Sequence, residues 1–475
     1  MEKTSLEQKK QTESLSKDNR LFNKNFLLLW QGQLVSRLGT QVYSIVIALW
    51  LKHTLEASGS AGSLVGSFFM LSAIPMVLFS AFGGAVADRF SRKKIILYGD
   101  IFSGLIVTTL GIFLFYSQAE NSIAIGAVFV VGILLSTIGA FFGPAISASV
   151  PDMVPEHKLP AANSMGQLSQ KISVFFGQSL GVPLMHFFGL PLLVIINGIT
   201  YLISALSESF ITIPQIIPEK MKGYREYYQV FKDDLKEGLQ YIWKNAGLRK
   251  LLFSSVILNF LTMPIIILLM FYVEDFLGAS SNWYGFLLAI YGIGALTGFT
   301  GAGLIKLKGR RRTYSLITFM LLEPLGYIFM TYATSPFQAA GMFFVGGMLN
   351  GFVMVNITTI LQLTTPSNIR GRVFGALTTI AASTAPFGMG LGGFLYDLLD
   401  QNIALIYISS GSLMFLMVAS FAFSKDFRNF IAFDLEEEEP SGFTYKMRYL
   451  EEKEILLTQK EIYLEYQIQK PRSEL

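Results

Sequence analysis

Twelve stretches of this chain are each long and apolar enough to form a helix across a bilayer. A helix rising ~1.5 Å per residue needs about 20 mostly apolar residues to cross a ~30 Å hydrocarbon layer. The first six runs cover approximately 27–51, 63–86, 95–116, 123–146, 162–188 and 190–212. The second six cover approximately 250–274, 284–305, 313–333, 336–361, 372–398 and 402–424. Gly and Pro fall inside many of them, as in FGP at 142–144 and APFG at 385–388. Membrane helices tolerate this because neighbouring helices satisfy the freed backbone groups. The runs are too long for barrel strands and lack a period-two alternation. The expected fold is therefore an all-α membrane protein with twelve transmembrane helices.

Composition agrees, with 52% hydrophobic and only 15% charged residues among 475. A disordered chain is excluded by the apolar content. With no Cys, a disulfide scaffold and a Cys-based metal or redox site are excluded too.

The charges are sorted by position. Basic residues favour the cytoplasmic side. The loops after spans 2, 4, 6, 8 and 10 carry 4, 1, 8 (counting Lys250), 5 and 2 (counting Arg372) of them, and the loops after odd spans carry only Lys52. The two tails add six and eight. Both termini and the even loops are expected in the cytoplasm. The outer loops are short and slightly acidic, with Glu120, Glu274, Asp275, Asp397 and Asp400. Residues 1–26 are polar, mixed in charge and unlike a cleaved signal. The expected organisation is an N-terminal cytoplasmic tail (1–26), a six-helix half (27–212), a cytoplasmic linker (213–249), a second six-helix half (250–424) and a C-terminal cytoplasmic tail (425–475).

The halves echo each other. Residues 83–94 read GGAVADRFSRKK and residues 301–312 read GAGLIKLKGRRR, with Lys306 where the first copy has Asp88. Further on, Pro155 and Pro366 each open a short polar loop, into spans 5 and 11. Two echoes in the same order point to duplicated halves, a common transporter plan with the substrate site between them.

The segment GAVADRFSRKK at 84–94 resembles the signature loop of the major facilitator superfamily, with Ser91 where that family usually has Gly. LWQGQLVSRLG at 29–39, PDMVP at 151–155 with Leu159 and Ala162 to Ser164, Tyr284-Gly285, and RGRVFG at 370–375 resemble its macrolide-efflux-like and siderophore-exporter-like branch. The resemblance covers roughly residues 22–424. It implies the major facilitator fold of two pseudo-symmetric six-helix halves. It also implies a secondary active exporter of an amphipathic small molecule in a bacterial cytoplasmic membrane, driven by proton antiport. The gating loop would comprise Gly84, Asp88, Arg89, Arg92 and Lys93. Asp88 would face the positive N-terminus of span 11 when the cytoplasmic side is closed.

Charges at mid-depth cost about 2.5–3.5 kcal/mol on insertion scales. Arg37 lies ten residues into span 1, Lys171 nine into span 5 and Glu323 ten into span 9. With Asp100, Gln33 and Asn350 they are the candidates for substrate binding or proton coupling, Glu323 being the titrating group. Glu208, four residues from the end of span 6, reads as snorkelling to the interface or ion-paired. Gln41, Asn197, Asn259 and Asn356 also reach the midplane, where inter-helix hydrogen bonds are expected.

GIGALTG at 292–298 and GMGLGG at 388–393 contain Gly-x-Gly, but neither follows a strand, so close helix packing is expected rather than dinucleotide binding. The chain lacks the phosphate-binding GxxxxGK[ST] signature, and its three His have no metal-ligand spacing. No enzyme activity, cofactor, metal or nucleic-acid partner is expected. A monomer in the lipid bilayer, handling a small molecule and protons, is. The other readings are an exporter of a siderophore or other anionic metabolite, a lysophospholipid flippase, and a membrane sensor using the C-terminal tail.

Overall fold

A computed structural model describes residues 21–56, 59–117, 122–215, 224–305, 307, 309–366 and 369–432. Lys306 and most of the C-terminal tail lie outside these residues. Among the described residues the secondary structure is helical, without strands. The first half comprises α1 (Lys24–Thr54), α2 (Ala61–Arg89), α3 (Arg92–Tyr116), α4 (Ser122–Met153) and α5 (Leu159–Ser209). The linker forms α6 (Tyr224–Lys244). The second half comprises α7 (Ala246–Ile267), α8 (Asn282–Leu304), α9 (Gly309–Met330), α10 (Pro336–Thr364), α11 (Arg370–Ser383), α12 (Ala385–Leu398) and α13 (Ile403–Ala422). A last helix, α14 (Lys425–Ala432), follows.

Among the described residues, ten helices are long and apolar enough to cross a membrane. Two expected spans depart from that form. Spans 5 and 6 run together as α5, bent at Gly189, whose φ of 71° suits glycine. Span 11 is divided at Thr384 into α11 and α12, with Pro386 just inside the second piece.

The halves repeat one packing scheme. The second and fourth spans pack together in each, α2 on α4 and α8 on α10. The third packs on the sixth, α3 on the far arm of α5 and α9 on α13. Small residues permit this closeness. A Cβ at Gly294, Gly298, Gly347 or Gly351 would strike the facing backbone of α8 or α10. The Gly-x-Gly at 292–294 therefore serves helix packing.

The polar contacts named below between the halves gather at the end opposite the basic loops, here called the far end. There α2 lies on α12, with Gly66 3.0 Å from where a Cβ of Gly393 would stand. The first arm of α5 meets α8, where Ser179 Oγ donates to the Gly285 carbonyl at 3.4 Å. At the basic end, α14 docks on the second half through buried Phe427, Phe430 and Ile431. Their i, i+3, i+4 spacing gives the helix one apolar face, so the start of the expected tail is packed structure.

Candidate functional site

The far end carries the densest charge cluster between the halves. Beyond α7 the backbone widens into a π turn (Tyr272–Phe276), which places Glu274 and Asp275 side by side. Lys52, in the last turn of α1, is 1% exposed and donates to Glu274 Oε2 at 2.5 Å and Asp275 Oδ1 at 2.7 Å. Its ammonium also lies 5.0 Å from the Phe271 ring centre. His53 Nε2 is 3.3 Å from Glu274, Ser281 donates to Glu274, and Tyr396 Oη donates to Asp275 Oδ2 at 2.8 Å. Asp397 accepts from the backbone N–H groups of Gly62 at 3.0 Å and Ser63 at 2.6 Å, at the positive N-terminus of α2. Every one of these groups joins a helix end of one half to the other or braces a group that does.

The gating-loop residues form a contrasting cluster at the basic end. Asp88 is 54% exposed, and its ion pair is to Arg92 of its own half at 3.3 Å. Among the described residues it has no hydrogen bond or ion pair to the start of α11. Arg92 also reaches Asp152 at 2.5 Å and the Ala148 carbonyl at 2.8 Å, tying the loop to α4. Lys93 donates to the Ser209 carbonyl at 2.8 Å, at the negative end of α5. Gly84 and Arg89 are half-buried.

The mid-depth candidates separate into two groups. In the second half, Asn350 Nδ2 donates to Glu323 Oε1 at 2.8 Å. Both line a 360 Å³ cavity that Asn259, Tyr291, Tyr327 and Met354 also wall. In the first half, Gln33 donates to Glu208 Oε1 at 2.8 Å. Asp100 is buried beside Glu208 and Ser204, its Oδ2 without a hydrogen-bond partner among the described residues. Asp100 is 1% exposed and Glu208 0%, so Glu208 does not snorkel, and among the described residues no basic side chain pairs with it. Its carboxyl points into the packed seam of α1, α3 and α5, where Gln33 provides the polar partner that water would offer at the interface. Arg37 is half-buried, and its guanidinium reaches the Gly166 carbonyl at 3.5 Å. Lys171 is exposed. Among the described residues neither cation has an acidic partner, and neither joins the cavity at Glu323. Of the midplane amides, Gln33 and Asn350 bond across helices, whereas Asn259 and Asn356 bond to their own helix at 3.0 and 2.9 Å.

The far-end cluster and Glu208 are not among the site residues expected from the sequence. A signal for the first existed, since Lys52 is the lone basic residue on an otherwise acidic side.

A model of the Major Facilitator Superfamily matches residues 29–388. The chain belongs to that superfamily. It is thus a multi-pass membrane protein of a transporter family, and its relatives include efflux proteins. The putative bacilysin exporter BacE of Bacillus amyloliquefaciens is 27% identical, covering 81% of this chain and 91% of that one. Macrolide efflux protein A of Streptococcus pyogenes is 23% identical over 79% of this chain and 90% of its own. Among solved structures, a bacterial homologue of the iron transporter ferroportin in its inward-facing state superposes with a TM-score of 0.62. It is 14% identical and covers 85% of this chain and 100% of that chain, a likeness of fold.

Proposed function

We propose that this superfamily member is a secondary active exporter of an amphipathic small molecule from a bacterial cytoplasm, coupled to proton entry. Both termini and the basic loops face the cytoplasm, so the far end faces outward. The observation that carries this reading is the asymmetry of the two ends. The outer end is closed by Lys52 between Glu274 and Asp275, while Asp88 at the inner end has no ion-pair partner in the second half among the described residues. That is one end-state of a rocking cycle. The cavity at Glu323 has apolar walls with a few polar groups, which suits an amphipathic cargo. Glu323 is the proposed proton carrier there, with Asn350 holding its carboxyl. The names of BacE and the macrolide efflux protein support the direction of transport.

A second reading, export of a siderophore or another anionic metabolite, is favoured by Arg37 and Lys171. Both are mid-depth cations without an acidic partner among the described residues. One experiment separates these readings. Cells lacking their major exporters and expressing this chain are compared for accumulation of a cationic dye, a macrolide and a catechol siderophore, with and without a protonophore. Protonophore-sensitive export of the dye or macrolide supports the first reading, and of the siderophore the second. No such export of any of the three counts against both. Glu323→Gln is expected to reduce protonophore-sensitive export at least tenfold while membrane insertion is unchanged. Transport with an unaltered pH dependence in that variant removes Glu323 from the coupling role.

A further inference from the structure

The linker helix α6 has two unlike faces. On one, Glu237 accepts from Arg372 Nη1 at 2.6 Å and Tyr241 Oη donates to the Thr364 carbonyl at 3.4 Å. Gly238 lies against the backbone of Arg372, and Ile242 is fully buried. This face docks α6 on the basic ends of α10 and α11. The neighbouring face presents Lys232, Lys236, Gln240 and Lys244 at four-residue spacing, which places them in one row. All four are exposed, and the three lysines have no ion-pair partner among the described residues. Asp233 stands exposed beside the start of the row. Together with Leu239 and Trp243 the row lines a groove of 650 Å³.

The groove does not end on α6. The Trp243 ring meets the Phe253 ring edge-on, 5.9 Å between centres. Phe253 is 43% exposed and Ile257, one turn further along α7, is 37% exposed. A row of unpaired ammonium groups thus passes through an indole onto the exposed apolar surface of a membrane-spanning helix. We propose that this groove binds an anionic phospholipid, its phosphodiester on the lysine row and its acyl chains along Phe253 and Ile257. Three aligned like charges repel one another until an anion lies among them. A basic cluster next to a membrane helix attracts anionic headgroups. Trp at the boundary between charge and hydrocarbon suits the interfacial region. Free phosphate would satisfy the lysines but leave the apolar continuation unused. Through Glu237 and Arg372, the bound lipid would steady the start of α11.

The test uses the full chain in phosphatidylcholine nanodiscs and reads tryptophan emission. The chain has four Trp, so subtraction of a Trp243→Phe variant isolates the signal of Trp243. Brominated phosphatidylglycerol is expected to quench that signal at a lower mole fraction than brominated phosphatidylcholine. Each lysine contributes about fivefold to that preference. Lys236→Gln weakens it accordingly, and the combined Lys232→Gln, Lys236→Gln and Lys244→Gln variant abolishes it. Equal quenching by both lipids in the unsubstituted chain overturns the proposal, as does a preference that survives loss of all three lysines. Inorganic phosphate added at constant ionic strength distinguishes the two phosphate sources. A preference that persists supports the lipid, and displacement by phosphate overturns the lipid assignment.

Discussion

At the far end, an ammonium that is 1% exposed lies between two carboxylates of the opposite half. At the basic end, Asp88 is 54% exposed and, among the described residues, bonds only to Arg92, four residues along its own chain. The first arrangement is desolvated and crosses the halves, so it stabilises one relative position of them. The second is wet and internal to one half, so it stabilises neither position strongly. Surface ion pairs contribute about 0–1 kcal/mol, whereas removing one partner of a buried pair costs about 3–5 kcal/mol. In the proposed cycle, the far end holds the state described here and the gating loop waits for the other.

Spin labels provide a direct test, because the chain has no Cys and introduced cysteines are unique sites. One pair, Ser60→Cys with Leu398→Cys, reports on the far end. Another, Phe90→Cys with Gly371→Cys, reports on the basic end, where Gly371 has open space around it. The largest effect is expected for Lys52→Met. It leaves Glu274 and Asp275 facing each other without their cation, a loss of about 3–5 kcal/mol. The far-end distance should lengthen and the basic-end distance shorten, with export lost. Unchanged distances would mean that the apolar contacts, such as Gly66 on Gly393, hold the far end alone.

Asp397→Asn should act in the same direction and more weakly. The carboxylate accepts two backbone N–H bonds at the start of α2, and charge-assisted bonds are worth about 1.5–3 kcal/mol each. An amide oxygen can keep one of them without the charge. A partial lengthening at the far end, short of that in Lys52→Met, is the expected result. A larger shift than in Lys52→Met would reverse the ranking and make the α2–α12 contact the main closure.

These contacts were unequally legible in the sequence. The spans could be read because hydrocarbon thickness imposes run lengths of about 20 residues. The exceptions have physical causes. Spans 5 and 6 join as one helix bent at Gly189, and span 11 breaks at Thr384. Lys52 was visible as the lone basic residue on the acidic side, but its partners depend on which spans adjoin across the halves. That adjacency is tertiary and leaves no trace in spacing. Glu323 and Asn350 were each recognisable from depth, and their 2.8 Å bond was not, for the same reason. Glu208 lies so near a helix end that snorkelling is the natural reading. Only the packing of α1 and α3 around it keeps the carboxyl inside.

The smallest effect is expected for Asp88→Asn, and its sign is the informative part. Among the described residues the Asp88 carboxylate has one ion pair, exposed and within a single half, so its loss hardly changes this state. In the proposed alternate state the carboxylate would approach the N-terminus of α11, where a negative charge is worth about 0.3–1 kcal/mol. Loss of the charge therefore destabilises only that state. The basic-end distance should shift slightly toward the open position, opposite to Lys52→Met, and export should slow about two- to fivefold with normal insertion. In the double variant the two shifts should offset in part, because they act on one equilibrium from its two ends. A shift in the same direction as Lys52→Met would show that Asp88 stabilises the state described here, and the contrast between the ends would fail.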